Sequence, residues 1–330
     1  MVAAVWACLL WPVSAWPQQS SSRARLARQQ SFEKVIPPGN YSGITWIGGD
    51  RYAVVSDKSA TDGFFIFRID IDTVRGRIRR VEDLGFRSSG LPNRDAEGIA
   101  WIPDRQTVMV VGEADSRIVE YNLDGQPTGW SFQLPTASTS QGYESLAYDA
   151  GTHMLWTMTE ASCPSTDGIS LRKTIEAPPG TVWGAAIHLD DSLCTPIPYL
   201  YTPDPPRKKP VRGKPYVHGV SELLALANGS LLVLEREVWA ARNGLRAAVW
   251  CKLYRAFPAR QSADVPTQKQ LVASWKTSLP SIPPRLANYE GMTLGPRLAD
   301  GSQTVILIAD SQNRYRHLLR DWFKVVVLRP

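Results

Sequence analysis

Pairs of apolar, β-prone runs recur along the chain, and a turn rich in Asp, Asn or Gly separates the two runs of each pair. An acidic residue stands at the entrance of the first run, and a second acidic residue follows the second run. Two β-rich runs joined by such a turn are typical of a β-hairpin. The acids at the entrances, called here the leading glutamates, are Glu97, Glu144, Glu222 and Glu290.

An earlier copy of this unit begins at Tyr41 and has Ser42 where the others have a glutamate, which makes five units in all. A second β-rich stretch follows each hairpin, so that each unit predicts four strands. Repeated units of four strands each indicate the blades of a β-propeller. We therefore predict an all-β propeller of five blades, or of six if a divergent blade lies in the segments 161–216 or 237–287. A β-sandwich is the alternative, although sandwiches do not usually repeat one acidic position.

The two ends of the chain bear on closure of the ring and on export. The strand predicted at Phe323 to Leu328 lacks a partner in its own hairpin, and pairing it with Phe32 to Ile36 would close the ring and remove exposed sheet edges. Residues 1–15 resemble a signal peptide that ends in Val13-Ser14-Ala15, although no Lys or Arg precedes the apolar run. Cys8 would alternatively fit a lipoprotein cleavage site. We expect a polar, basic linker over 16–34 and one propeller domain over 35–330.

The composition fits one large domain with few cysteines. The 330 residues are 43% hydrophobic and include 12 tryptophans, which is ample material for a core. Cys163 and Cys194 both belong to the third unit, and export predicts a disulfide between them. Cys251 lies in an apolar alternation and is expected to be a buried small hydrophobe. The chain has no Cys-x-x-Cys, so structural zinc is not expected.

The net charge is +6, and part of the positive charge is concentrated in a proline-rich insert before the fourth unit. Such a run is usually a solvated loop, but it also attracts anionic ligands. Export and the lack of a recognisable module argue against nucleic acid. We expect a monomer that takes a small anionic substrate or ligand and has no membrane segment beyond the signal. The basic residues of the insert are Arg207, Lys208, Lys209, Arg212 and Lys214.

The first strand of each propeller blade lines the central channel, so the leading glutamates are expected to form a ring. Carboxylates at close quarters need a cation or basic side chains to remain ionised. Several hard oxygen ligands favour Ca²⁺, which makes the leading glutamates metal candidates. Pairing with Arg236, Arg94 or Arg314 is the competing explanation. A second acidic series is expected near the strand ends: Asp57, Glu113, Glu160, Glu235 and Asp310.

The motifs around the leading glutamates resemble those of the phytase-like family, which is described as having esterase-like activity of phytase. The resemblance covers about Gly39 to Leu328 and rests on Asp95-Ala96-Glu97-Gly98-Ile99, Gly142-Tyr143-Glu144-Ser145, Ser221-Glu222-Leu223 through Leu234-Glu235-Arg236, and Asn288-Tyr289-Glu290-Gly291-Met292 through Asp310. It implies a β-propeller exported by a bacterium to the periplasm or beyond, with calcium-dependent hydrolysis of phosphate esters.

For such a hydrolase we expect Glu144 and Glu290 in the catalytic centre, with Arg236 or Arg314 stabilising developing charge. His218, which stands just before the fourth unit, is the one histidine expected as an acid or base. No motif identifies a nucleophilic serine. Two alternatives remain open at this point. One is a propeller that binds a ligand or partner at an acidic channel without catalysis, and the other is a calcium-dependent propeller of the lactonase or esterase type.

Overall fold

The computed structural model describes residues 24–135, 142–161, 180–190, 195–243, 245–258, 267–281 and 284–330. The expected signal peptide (residues 1–15), Cys163 and Cys194 lie outside the described residues. In the described part of the chain the strands form five antiparallel four-stranded blades arranged as a ring, which confirms the predicted propeller and fixes the number of blades at five. Within the same residues, no helix is long and apolar enough to cross a membrane.

Each blade follows the chain from its innermost strand outward. Blade 1 contains β3 (Tyr41–Trp46), β4 (Arg51–Ser56), β5 (Thr61–Asp72) and β6 (Arg77–Pro92). Blade 2 contains β7 (Ala96–Ile102), β8 (Thr107–Gly112), β9 (Arg117–Asn122) and β10 (Pro127–Gln133). Blade 3 contains β11 (Tyr143–Asp149), β12 (Met154–Thr159), β13 (Val182–His188) and β14 (Ile197–Tyr201). Blade 4 contains β15 (Tyr216–Ala225), β16 (Leu231–Ala240), β17 (Ala247–Phe257) and β18 (Gln268–Leu279).

Blade 5 is completed by the N-terminal part of the chain. It contains β19 (Asn288–Arg297), β20 (Gln303–Asp310) and β21 (Trp322–Leu328), with a 3-10 helix at Tyr315–His317 before β21. The outer edge of β21 pairs with the short strands β1 (Arg25–Leu26) and β2 (Gln30–Ser31). The ring is therefore closed by the two ends of the chain, as predicted.

The residues that close the ring differ from those expected. Pairing was predicted for Phe32 to Ile36, but the pairing residues lie within the segment that was expected to be a linker. The physical reason is that Phe32 and Ile36 are needed in the core. The ring of Phe32 packs edge-on against Phe323 with centroids 5.7 Å apart, and Ile36 is buried between blades 5 and 1.

The core consists of five apolar clusters, one between each pair of neighbouring blades. Alternate residues of a strand point to opposite faces of its sheet, so one strand supplies two clusters. In β8, Val108 and Val110 pack toward blade 1, whereas Met109 and Val111 pack toward blade 3. Burial on both faces explains the continuous apolar runs in the sequence. Cys251 is a free, buried cysteine between blades 4 and 5, as expected.

Candidate functional site

Each innermost strand contains a β-bulge at the end of the channel that we call the upper end; the bulged residue is the second or third of the strand in four blades and the sixth in blade 4. In β7, Ala96 pairs with Gly112 and Gly98 pairs with Val111, so that Glu97 is the extra residue between them. A bulge turns a side chain away from the regular alternation of the strand. The residues at the bulged position of the five blades are Ser42, Glu97, Glu144, Ser221 and Glu290.

Three of the four leading glutamates share this position, and Glu222 does not. In β15, Val220 pairs with Glu235 and Glu222 pairs with Leu234, so that Ser221 is the bulged residue. Glu222 instead occupies the position of Gly98 in blade 2. The sequence contains the signal for this difference. Glu97 stands two residues before the first buried aliphatic residue of its strand, whereas Glu222 stands one residue before Leu223.

The second acidic series shows the same shift in blade 4. Glu113 directly follows Gly112, which pairs with the first residue of β7. The equivalent position in blade 4 follows Glu235 and is occupied by Arg236. Four blades therefore place an acid at this position, and one blade places an arginine there. The residues are Asp57, Glu113, Glu160, Arg236 and Asp310.

These two positions surround a cavity of about 340 Å³ at the upper end of the channel, called here the upper cavity. Five carboxylates line it together with two cationic side chains, four amides and Val217. The carboxylates are Asp57, Glu97, Glu144, Glu290 and Asp310, the cations are Lys58 and Arg236, and the amides are Asn40, Asn288, Gln312 and Asn313.

Arg236 is the internal counterion on one side of the upper cavity. Its side chain is only 5% exposed, and its guanidinium forms ion pairs with Glu290 and with Glu160, the latter at 2.5 Å. It also donates a hydrogen bond to Asn288 Oδ1 at 2.9 Å. Burial opposes the charge of Arg236, but the carboxylates of Glu290, Glu160 and Glu144 raise its pKa well above the usual value.

A second group of carboxylates lies on the side of blades 1 and 2. Oxygen atoms of Asp57, Asp95 and Glu97 lie within 4.8 Å of one another. Lys58 Nζ lies 2.5 Å from Asp95 Oδ1 and 3.1 Å from Asp57 Oδ2, but the lysine side chain is 55% exposed. Among the described residues, Asp57 Oδ1 and Asn40 Oδ1 are buried oxygens that lack a hydrogen-bond partner. This side of the cavity therefore offers several oxygen ligands and one solvent-exposed cation.

The carboxyl groups of the upper cavity hold their protons more tightly than free carboxyl groups do. Burial raises the pKa of Glu97 well above its usual value, and the negative charges of Glu144 and Glu290 add to the effect. The pKa of Glu144 is raised in the same direction by burial and by Glu160. Burial and the charge of Glu290 do the same to the pKa of Asp310. Crowded, buried carboxyl groups of this kind need a cation in order to ionise.

Other predicted site residues lie elsewhere. His218 Nε2 is 2.9 Å from the carbonyl oxygen of Asp204, and the imidazole lines a separate small cavity beside Trp250 rather than the upper cavity. Glu235 lies between blades 3 and 4, where it accepts hydrogen bonds from the Tyr201 hydroxyl at 2.7 Å and from Lys269 at 2.6 Å.

Arg94 and Arg314 were expected as alternative partners of the leading glutamates, and the structure contradicts this. Arg94 pairs with Asp62 at 2.8 Å and with Asp115 at 3.1 Å. Arg314 pairs with Asp321 at 2.5 Å and donates to the carbonyl oxygen of Ile36 at 2.8 Å. Both arginines have buried or neighbouring carboxylates of their own. Of the three arginines proposed, Arg236 is the one that contacts a leading glutamate.

Glu222 is buried on the channel side of β15, below the upper cavity, with 1% of its surface exposed. One carboxyl oxygen accepts the backbone N–H of Leu223 at 2.9 Å. Burial raises its pKa well above the usual value, while backbone N–H groups of Leu223, Met292 and Leu146 act in the opposite direction. Met292 and Leu146 belong to blades 5 and 3, so this carboxyl group contacts the inner strands on both sides of its own blade.

The sequence interpretation missed several polar residues of the site. Asn40, Asp95 and Asn288 all stand two residues before the bulged position of their blades. The repeat therefore begins two residues earlier than the glutamate alone suggests, with a glycine or a polar residue at that place. Lys58, Gln312 and Asn313 are loop residues that follow the second acidic series, and no repeating pattern marks them.

Comparisons with known proteins identify a matching family model and several similar solved structures. The family model described as "Phytase-like: Esterase-like activity of phytase" matches residues 36–312. A search of curated proteins finds no match. Similar solved structures include a streptogramin B lyase structure, which is 11% identical with a TM-score of 0.39 and covers 94% of this chain and 100% of that chain. They also include a member of the DUF4221 family from Bacteroides vulgatus, which is 10% identical with a TM-score of 0.40 and covers 94% of this chain and 99% of that chain.

Proposed function

This chain belongs to the phytase-like family, and we propose on that premise that its upper cavity binds a divalent cation and hydrolyses phosphate esters. The observation that carries the proposal is the excess of negative charge in the cavity. Five carboxylates line it against two cationic side chains, and one of these cations, Arg236, is already paired with Glu160 and Glu290. The remaining carboxylates need a further positive charge if they are to ionise together.

The donor set fits a hard cation. Asp57, Asp95 and Glu97 would hold it together with Asn40 Oδ1, a buried oxygen at this cavity for which the described residues provide no hydrogen-bond partner. A mixed set of carboxylate and amide oxygens suits the flexible coordination of Ca²⁺ better than the strict octahedron of Mg²⁺. When bound, such a cation polarises a phosphoryl oxygen and lowers the pKa of a bound water.

The residues around this donor set have separable roles in the proposal. Arg236 holds Glu160 and Glu290 in place, since all three side chains are joined by their ion pairs. Glu144, whose pKa is raised, would exchange a proton with the substrate. Lys58 is exposed at the rim beside Asp57 and Asp95, where its ammonium group would contact an incoming phosphate.

Blade 4 supports an anionic substrate. Its innermost strand begins four residues above the level at which β7 begins, so that it forms a wall about 13 Å high beside the cavity. The basic insert is attached to β16, the strand next to this wall, because the backbone N–H groups of Arg207 and Lys208 donate to the buried carboxylate of Glu237 at 2.8 and 2.7 Å. The side chains of Arg207, Lys208, Lys209 and Arg212 remain exposed. Their positive field would raise the local concentration of a phosphate ester.

The test is an assay of the purified protein on phytate and on a simple aryl phosphate, with Ca²⁺ and with chelator. Glu97→Gln and Glu144→Gln should each abolish the calcium-dependent activity, because each removes a charge or a proton donor from the cavity. Glu82→Gln is the matched control, since Glu82 forms surface ion pairs on the outer strand of blade 1. Activity that survives both cavity substitutions, or that is indifferent to chelator, would contradict the proposal.

The second candidate is a propeller that binds a ligand at the upper cavity without catalysis. The observation that favours it is Arg236, which gives part of the acidic array an internal counterion. This function predicts no bound divalent cation by elemental analysis and a thermal stability that chelator does not change. A lactone substrate in the same assay separates the lactonase type of chemistry from phosphate ester hydrolysis.

A further inference from the structure

The channel is closed directly below the upper cavity. The position that follows each bulge forms a layer across the channel, called here the glycine layer. A Cβ atom on Gly98 would lie 2.4 Å from the backbone nitrogen of Leu146, and one on Gly43 would lie 2.6 Å from the carbonyl oxygen of Glu97. The backbones of neighbouring inner strands therefore touch at this level. The glycine layer consists of Gly43, Gly98, Ser145, Glu222 and Gly291.

A second cavity lies on the other side of the glycine layer and is called here the lower cavity. Its volume is about 580 Å³, within the range of roughly 300–1,000 Å³ that is common for small-molecule sites. Three aromatic residues line it from the same position of three consecutive blades, three residues after the glycine layer. They are Trp46, Trp101 and Tyr148. The blades that lack an aromatic residue there contribute Leu224, Leu226 and Leu294 to the wall.

Hydrogen bonds between blades fix the two tryptophans in place. The backbone N–H of Trp101 donates to Thr45 Oγ1 at 3.1 Å, and the backbone N–H of Trp46 donates to Thr293 Oγ1 at 3.0 Å. The indole N–H of Trp46 donates to the carbonyl oxygen of Gly49 at 2.9 Å. Trp46 nevertheless remains 46% exposed, so its indole is accessible to a ligand. The cavity is therefore lined by positioned aromatic faces.

The electrostatics of the lower cavity favour a positive ligand. Its described lining includes Asp149 and has neither lysine nor arginine. Burial and then the carboxylates of Asp104 and Asp190 raise the pKa of the Tyr148 phenol, although Arg105 opposes them. Aromatic faces are themselves negative and attract ammonium groups within about 6 Å of the ring centre. The lower cavity thus differs from the basic wall beside the upper cavity.

We propose that the lower cavity binds a small organic cation, in which an apolar ring or alkyl body carries an amine or quaternary ammonium group. The apolar body would pack against the leucines, and the ammonium group would lie over Trp46, Trp101 and Tyr148. This site is independent of the phosphate ester function, because the glycine layer separates the two cavities.

Calorimetric titration with benzyltrimethylammonium tests the proposal, with benzyl alcohol and benzoate as neutral and anionic analogues of similar size. Saturating Ca²⁺ and the Glu97→Gln variant, used in separate titrations, exclude binding of the cation to the upper cavity. We expect saturable binding of the ammonium compound that is at least about tenfold tighter than that of either analogue. Trp46→Ala and Trp101→Ala should each weaken it about three- to tenfold, and Trp46→Phe should restore most of the loss.

Tyr315→Ala is the control, because Tyr315 is an exposed aromatic residue in the 3-10 helix that precedes β21. It should leave the affinity unchanged. Equal binding of the cation and of benzyl alcohol would overturn the assignment of a cationic ligand. Unchanged binding in the Trp46→Ala/Trp101→Ala double variant would overturn the site itself, as would loss of binding in Glu97→Gln.

Discussion

At the scale of single residues, the upper cavity joins two kinds of carboxyl group. Glu160 and Glu290 form ion pairs with Arg236, which opposes the effect of burial on the pKa of Glu290. Glu97 and Glu144 are buried near like charges, and their pKa values are raised well above the usual value. The first kind is stable as an ion pair within the protein. The second kind holds a proton until a cation displaces it. On the proposed function, the balance of protons and cations in this cavity governs both its stability and its activity.

Removing Arg236 tests whether its ion pairs with Glu160 and Glu290 stabilise the fold. Arg236→Gln leaves the carboxylates of Glu160 and Glu290 without their counterion, and the loss of one partner from a buried ion pair costs about 3–5 kcal/mol of unfolding free energy. Chemical denaturation measures the change. The triple variant that adds Glu160→Gln and Glu290→Gln should recover most of the loss, because no buried charge then remains unpaired. A loss below about 1 kcal/mol in the single variant would show that the ion pairs do not stabilise the fold.

The pH dependence of the unfolding free energy tests the carboxyl groups with raised pKa values, such as Glu97. A carboxyl group whose pKa is raised in the folded state binds its proton more tightly there than in the unfolded chain. Without divalent cations, the unfolding free energy should therefore fall as the pH rises from about 4.3, the ordinary glutamate pKa, through the raised values. Glu97→Gln should reduce this fall, and Glu82→Gln should not. Equal slopes in the two variants would contradict the raised pKa of Glu97.

At the scale of elements, the β-bulge decides which side chains enter the cavity. The hairpins, the four-stranded blades and the acidic positions could be predicted from the sequence, because alternating apolar runs and turns are local signals. The misplacement of Glu222 and Glu235 could not be avoided by matching glutamates, since a shift of one residue turns a side chain to the other face of the strand. The buried aliphatic residue that follows, such as Leu223, would have been the better reference point.

The close packing of the inner strands at the glycine layer is a second feature at the scale of elements. Gly98→Ala should destabilise the protein by about 1–3 kcal/mol, because the added methyl group meets the backbone of β11 and a strand cannot yield as a side chain can. Gly151→Ala is the control, since the nearest atom there is Asp149 Oδ1 at 3.3 Å. Denaturant midpoints of the two variants give the comparison. Equal midpoints would show that the inner strands are not in close contact.

At the scale of the whole molecule, five blades produce a ring with two different ends. The blades of the ring are also not equivalent, because blade 4 differs from the others. In blade 4, Ser221 and Arg236 replace the acids found at equivalent positions in other blades, and Glu222 occupies the glycine layer. The propeller fold and the closure of the ring by the two ends followed from the sequence pattern, which left five or six blades open. The separation of the channel into two cavities did not, because it depends on contacts between strands that lie far apart in the chain.

The central claim is that the upper cavity binds a divalent cation through Asp57, Asp95 and Glu97. Calorimetric titration of Ca²⁺ into chelator-treated protein tests it most directly, in two buffers that differ in their heat of ionisation. The proposal predicts saturable binding with release of protons, which is lost in Glu97→Gln and retained in Glu82→Gln. The absence of saturable binding to the unaltered protein, or unchanged binding in Glu97→Gln, would contradict it.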